Sequence, residues 1–152
     1  MWSFVAGDEM NQAAEFARVE AGLESVLEEL RRREPIFHTQ AFGLTAEARE
    51  LAMDAAYWEV GASGRRYSRG FIRRMLAEHP PVEAEAAGWR CSDFGLRRLA
   101  AEVYLLTYML EQGERVTRRA TIWEKTAEGW RAVYHQGTVV TGEDDTIPET
   151  AS

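Results

Sequence analysis

The sequence predicts an α+β fold, with about three helices packed on one face of a curved antiparallel sheet. Three observations carry that prediction. Residues 101–141 read as three strands in succession, 102–112, 115–126 and 130–140, joined by Gly113-Glu114 and by Ala127-Glu128-Gly129. Upstream, Phe16, Val19, Leu23, Val26, Leu27 and Leu30 recur at helical spacing, the pattern of an amphipathic helix lying on something. The order of elements, helices interspersed with one strand and then a meander, is that of helices segregated to one side of an antiparallel sheet.

The totals agree with one globular domain. The chain has 152 residues, 45% of them hydrophobic and 28% charged, enough to bury a core without staples. No apolar run approaches the roughly 20 residues that span a bilayer, and Asp8 and Glu9 interrupt the N-terminus where a signal peptide would be apolar. A lone cysteine, Cys91, excludes an internal disulfide and a cysteine-rich metal site; a reduced thiol in a cytoplasmic protein is the expectation. A net charge of −7 argues against nucleic-acid binding, which needs a basic surface. The eighteen basic residues are seventeen arginines and Lys125, a skew that reads as genome composition first and, through the clusters Arg31-Arg32-Arg33, Arg65-Arg66 and Arg73-Arg74, as a patch for an anionic partner second.

Taken in order, 1–10 reads as a flexible leader, 11–140 as a single domain and 141–152 as a disordered acidic tail. The first helix is expected over 11–33, ended by Pro35, because the residue before proline avoids the α region. Residues 34–43 are irregular. A short helix follows over 46–53 with Thr45 as its cap, then a strand over 55–60. Gly61-Ala62-Ser63-Gly64 turns the chain, and Ser68 caps a third helix over 69–78 that His79-Pro80-Pro81 stops. Residues 82–90 read as an edge strand or a loop, and 92–100 as a strand. Strand 102–112 is apolar on both faces, which calls for cover on both sides; helices supply one and a second copy of the chain is the economical supplier of the other.

Four stretches resemble a known family: YWEVGASGR (57–65), VYLLTY (103–108), RRATIW (118–123) and GWRAVYHQGT (129–138). They are similar to the uncharacterised bacterial branch of the nuclear transport factor 2-like superfamily, which also holds the ketosteroid isomerases and the SnoaL-like polyketide cyclases. The resemblance spans about 15–140. It implies a cone, a strongly bent sheet wrapped around helices, with a pocket at the open end and a homodimer through the sheet. That superfamily contains enzymes, ligand binders and assembly domains, so the fold leaves function open. Ketosteroid isomerases pair an aspartate base with a tyrosine–acid oxyanion hole. That set has no matching positions here, so the isomerase reaction is not carried over.

The residues that could carry chemistry follow from the hairpin. A three-residue loop at Ala127-Glu128-Gly129 sets Lys125 opposite Arg131, Trp123 opposite Val133, Thr121 opposite His135 and Arg119 opposite Gly137. Arg119, Thr121, Trp123 and His135 then share one face, and Arg118, Ile122, Tyr134 and Gln136 the other. His135 is a candidate acid or base. Glu59, between Trp58 and Val60, is a candidate general base whose pKa an apolar pocket would raise. The plainer alternatives are a structural histidine and a carboxylate tied to an arginine. Arg119, which matches the branch's arginine four residues before the tryptophan, could clamp a carboxylate or phosphate. Tyr57, Trp58, Tyr67, Trp123 and Gln136 complete the candidate ligand-binding set. No metal or cofactor is expected: three scattered histidines make no ligand spacing, and Gly61-Ala62-Ser63-Gly64 lacks the Lys-Ser/Thr of a phosphate loop. Two functions rank nearly equal, a homodimeric binder of a small, partly apolar molecule and an acid–base enzyme using Glu59 or His135. A protein-interaction module stands third.

Overall fold

The structure, a computed structural model, describes residues 15–142, 146 and 147. The expected leader at 1–10 and most of the expected tail at 141–152 lie outside them. The elements are α1 (Glu24–Arg31), a 3-10 turn (Gln40–Phe42), α2 (Ala46–Leu51), β1 (Met53–Val60), β2 (Arg66–Ser68), α3 (Arg69–Glu78), β3 (Arg90–Ala100), β4 (Val103–Gln112), β5 (Arg115–Thr126) and β6 (Gly129–Val139). The six strands form one curved, unclosed sheet in the order β2-β1-β6-β5-β4-β3. Every neighbouring pair is antiparallel except β1 and β6, which run parallel. An α+β architecture with helices against the sheet is therefore what the chain adopts.

The first helix is shorter than its apolar spacing suggests. Within the expected span, Glu15 and Phe16 are helical and Glu24–Arg31 forms α1, but the chain between them is used as an edge segment, and residues 11–14 lie outside the described ones. Val19 bridges Leu96 in parallel, Leu96 N donates to Arg18 O at 3.0 Å and Glu20 N donates to Leu96 O at 3.0 Å. That pairing covers the β3 edge, which would otherwise offer a row of free backbone groups. Gly22, at φ +87°, makes the corner into α1, a conformation that costs other residues a Cβ clash. Phe16 is 60% exposed, so the spacing that counted it into a stripe was accidental there.

Capping explains the other two helices. Thr45 Oγ1 accepts from Ala48 N at 3.1 Å, and Ser68 Oγ accepts from Phe71 N at 3.1 Å, each satisfying a first-turn amide. Between β1 and α3 the glycine turn closes with Gly61 N donating to Arg65 O at 2.9 Å, and it leads into β2, a three-residue strand too short to leave a periodic signal. Residues 82–89 are turns that return the chain to β3.

The meander sets the core. Tyr104, Leu106, Tyr108 and Leu110 of β4 point inward and are buried, while Val103, Leu105 and Met109 on the other face are half-buried. The β4–β5 ladder runs unbroken from Val103↔Glu124 to Gln112↔Arg115. In the β5–β6 hairpin the loop is Ala127-Glu128, closed by Thr126↔Gly129, so Lys125 faces Trp130 and Trp123 faces Ala132. Val133 then bulges, Ile122 faces Tyr134, and the register returns to Thr121↔His135 and Arg119↔Gly137. One inward row now crosses all six strands: Tyr67, Glu59, His135, Thr121, Leu106 and Leu96.

Candidate functional site

The middle of that row is polar inside an apolar core. Thr121 and His135 are 0% exposed and Glu59 is 8% exposed. From the other side, the segment after α1 lowers Glu34 onto the sheet, where it is 5% exposed. Burying a carboxyl is costly unless it is hydrogen-bonded, and Glu34 is held by three side chains. Tyr108 Oη donates to its Oε2 at 2.5 Å, Thr121 Oγ1 to its Oε1 at 2.6 Å and Trp123 Nε1 to its Oε1 at 3.1 Å.

His135 bonds through both ring nitrogens, Nδ1 lying 2.7 Å from Thr121 Oγ1 and Nε2 lying 3.2 Å from Arg119 Nη1. Burial and the neighbouring Arg119 charge push its pKa down to about 3, so the ring is neutral. A guanidinium can only donate, so Nε2 accepts and Nδ1 carries the proton. Nδ1–H therefore donates to Thr121, whose single hydroxyl proton goes to Glu34. The chain of donors runs in one direction, from Arg119 through His135 and Thr121 to Glu34. Arg119 is further fixed by Nε donating to Thr117 Oγ1 at 2.9 Å. Its guanidinium lies over Gly137, where a Cβ would come within 3.4 Å of it. Its remaining nitrogen, Nη2, has no partner among the described residues.

Two carboxyls here sit near neutrality. Burial raises Glu34 to about 7 against the pull of its hydrogen-bond donors. Burial likewise raises Glu59 to about 7; the Arg119 charge and Tyr57 oppose the shift, and the Glu34 charge adds to it. Tyr57 is 2% exposed and its hydroxyl faces Glu59 without closing a hydrogen bond of ordinary geometry; burial, with Glu59 and Glu34 beside it, pushes its pKa well up, so it stays a phenol able to donate. Glu59, the Tyr57 hydroxyl and Arg119 Nη2 are thus an incompletely partnered polar set, backed by the fully bonded Glu34–Thr121–His135 group.

Of the residues singled out in the sequence, the structure brings Tyr57, Glu59, Arg119, Trp123 and His135 to this inner face. Trp58 and Gln136 stand on the opposite face: Trp58 meets Tyr134 edge-on at 5.0 Å, and Tyr134 Oη donates to Gln136 Oε1 at 2.7 Å. Tyr67 lies opposite Glu59 on β2 with its ring tilted on Phe71 at 5.4 Å. Sequence reading missed Glu34 and Tyr108. Glu34 left one signal, a carboxylate directly before the apolar Pro35-Ile36-Phe37. Cys91 is half-buried and burial pushes its thiol up to about 12, so it offers no thiolate. His38 is tied through Nδ1 to Val82 O at 2.8 Å. Among the described residues no group of three or more His, Cys, Asp or Glu converges as a metal site, and no helix is long and apolar enough to cross a membrane.

Two grooves open on the surface. One, of about 370 Å³, lies between α2 and α3 and is lined by residues that include Arg49, Glu50, Arg73 and Arg74. The other, of about 810 Å³, lies beside β2 and is lined by Trp58, Arg65, Arg66, Tyr67, Ser68 and Phe71.

No protein-family model matches the sequence, and no curated protein matches it. Solved structures do. A cystatin-like fold protein from Burkholderia xenovorans aligns at a TM-score of 0.59 and 12% identity, over 78% of this chain and 91% of that one. A protein of unknown function of the DUF3225 family from Pectobacterium atrosepticum aligns at 0.57 and 17%, over 78% and 91%. An NTF2-like protein from Cytophaga hutchinsonii aligns at 0.57 and 10%, over 78% and 98%. The bent sheet over helices is therefore the nuclear transport factor 2-like fold, as the four sequence stretches imply. At these identities the likeness is one of fold.

Proposed function

We propose that the chain is a binding domain for a small, partly apolar molecule, whose polar group is received by Glu59, the Tyr57 hydroxyl and Arg119. The observation that carries this reading is the buried pair of the Tyr57 hydroxyl and the Glu59 carboxyl, which face each other without closing a hydrogen bond of ordinary geometry, the carboxyl lying near neutrality. Buried polar groups are nearly always bonded, and an orphan marks the place where something else completes the set. Phe37 and Phe42 supply the apolar side of that place: the Phe37 ring lies 6.0 Å from Tyr57 and 4.9 Å from Phe42. His135 and Glu34 hold Arg119 and the floor in position. A second reading, an acid–base enzyme, rests on Glu59 alone, since a base working near pH 7 is most effective with a pKa near 7. In that reading His135, neutral and bonded at both nitrogens, orients Arg119 instead of exchanging protons.

The proposal includes a homodimer through the sheet. Leu105, Met109 and Ile122 form a half-buried apolar strip on the outer face of β4 and β5, away from the site. A second copy laid on that strip completes the cover that β4 calls for.

The test is a thermal-shift screen of the purified chain against a broad metabolite set, repeated on Glu59→Gln and Tyr57→Phe. A ligand at about 100 times its dissociation constant adds roughly 2.7 kcal/mol to stability. A hit that raises the melting temperature of the wild type and loses its effect in both variants supports the proposal. Incubating the hit and looking for product separates binder from enzyme. Hits that stabilise the variants as much as the wild type place the ligand elsewhere.

A further inference from the structure

We infer that the groove beside β2 is a second ligand site, for a flat aromatic ring carrying a phosphate, of the kind a nucleoside monophosphate presents. Several arginines of the chain are ion-paired. Arg69 and Arg73 both reach Glu50, Arg118 reaches Asp93 at 2.8 Å, and Arg131 reaches Asp54 and Glu124. Arg65 and Arg66 are exposed, and their guanidinium groups, like those of Arg32, Arg90 and Arg97, make no ion pair or hydrogen bond among the described residues; what sets them apart is that they stand side by side in a groove lined with aromatic rings. In a chain with 25 acids against 18 bases, two adjacent uncompensated cations are a local inversion of the overall charge. An anion drawn to this protein is therefore focused there.

The same groove presents rings. Trp58 is 44% exposed, packs against Tyr134 in a T-shaped contact at 5.0 Å, and lines the groove with the rest of its surface. Tyr67 and Phe71 complete the wall. An arginine pair beside a tryptophan face suits a planar group that stacks and a phosphate that takes several N–H donors at once. The groove, about 810 Å³, is open to solvent along one side, so a ligand there is held by stacking and charge more than by enclosure. The start of α3 adds to the field, since its first turn holds no acid and its positive end opens beside Ser68. Its stacking residue differs from the inner site: Trp58 and Glu59 are neighbours on β1 and point to opposite faces of the sheet, while Tyr67, opposite Glu59 at the sheet edge, turns its ring onto Phe71 in this groove.

The test is calorimetric titration of the full chain at low ionic strength with adenosine 5′-monophosphate, adenosine and inorganic phosphate. Saturable 1:1 binding of the monophosphate is expected. Adenosine and phosphate should each bind at least about tenfold more weakly, a difference of about 1.4 kcal/mol. Trp58→Ala and the pair Arg65→Gln with Arg66→Gln should each lower monophosphate affinity about tenfold or more; the arginine pair, being exposed, should leave the melting temperature in place, whereas Trp58→Ala also loses its contact with Tyr134 and should lower it modestly. Glu59→Gln should leave that affinity unchanged, so a failure of the inner site and a failure of this one are told apart. Absence of saturable monophosphate binding overturns the inference. So does binding that survives both the Trp58 and the arginine variants, or adenosine binding as tightly as the monophosphate.

Discussion

Thr121 holds two hydrogen bonds with one proton, and that makes it the residue through which the buried polar group is organised. It receives Nδ1–H of His135 and passes its own proton to Glu34. Thr121→Val keeps the shape and removes both bonds, leaving a buried ring N–H without an acceptor and Glu34 short of a donor. The expected loss is about 1–3 kcal/mol of stability, measured by urea unfolding. Thr121→Ser, which keeps the hydroxyl, should recover most of it. If the valine variant is as stable as the wild type, the relay does not hold as described. Glu59 carries a pH signature. Its folded pKa of about 7 lies above the unfolded value, so between about pH 4.5 and 7 the folded state binds the extra proton and stability from this group falls as pH rises. Glu59→Gln removes that term. Relative to wild type, the variant should gain stability as pH rises through this window, by at most about 1.4 kcal/mol per pH unit. His135, with its pKa pushed down to about 3, works in the opposite sense below about pH 6.5 and is common to both proteins. Parallel stability–pH curves for the two proteins would contradict the assignment.

At the scale of elements, the caps are the clearest local causes. Ser68→Ala removes the acceptor for Phe71 N and should cost about 1 kcal/mol, read from chemical denaturation; a loss below a few tenths would mean water replaces it without penalty. The Ser68 cap and the Pro-Pro stop made α3 readable to the residue, because both signals are local. The first helix was misread because Val19 serves an edge bridge to Leu96, a long-range pairing that periodicity cannot report. The hairpin teaches a subtler lesson. A three-residue loop and an even ladder put Trp123 opposite Val133, whereas a two-residue loop puts it opposite Ala132. The Val133 bulge then restores Thr121↔His135, so the inner face came out right through two compensating departures. Glu34 stayed hidden because its burial is decided by Tyr108, Thr121 and Trp123, 74 to 89 positions along the chain.

For the whole molecule, the sheet separates two environments. Its inner face holds the polar row and the core; its outer face carries Leu105, Met109 and Ile122 half-covered. A copy laid on that strip predicts a dimer by sedimentation velocity, and Ile122→Asp should yield a monomer with the same far-ultraviolet circular dichroism. A monomeric wild type at micromolar concentration would remove the dimer from the proposal and leave the inner site untouched. The central claim is that Glu59 sits at an incompletely partnered, ligand-accepting place in this fold. The most direct measurement is a carbon-13 NMR titration of the glutamate side-chain carboxyls, assigned with Glu59→Gln and Glu34→Gln and repeated with a hit from the thermal-shift screen. Two midpoints near 7 are expected in the free protein, with the Glu59 midpoint displaced when the hit is bound. Midpoints at the ordinary glutamate value, or a Glu59 signal indifferent to every stabilising compound, would contradict the account.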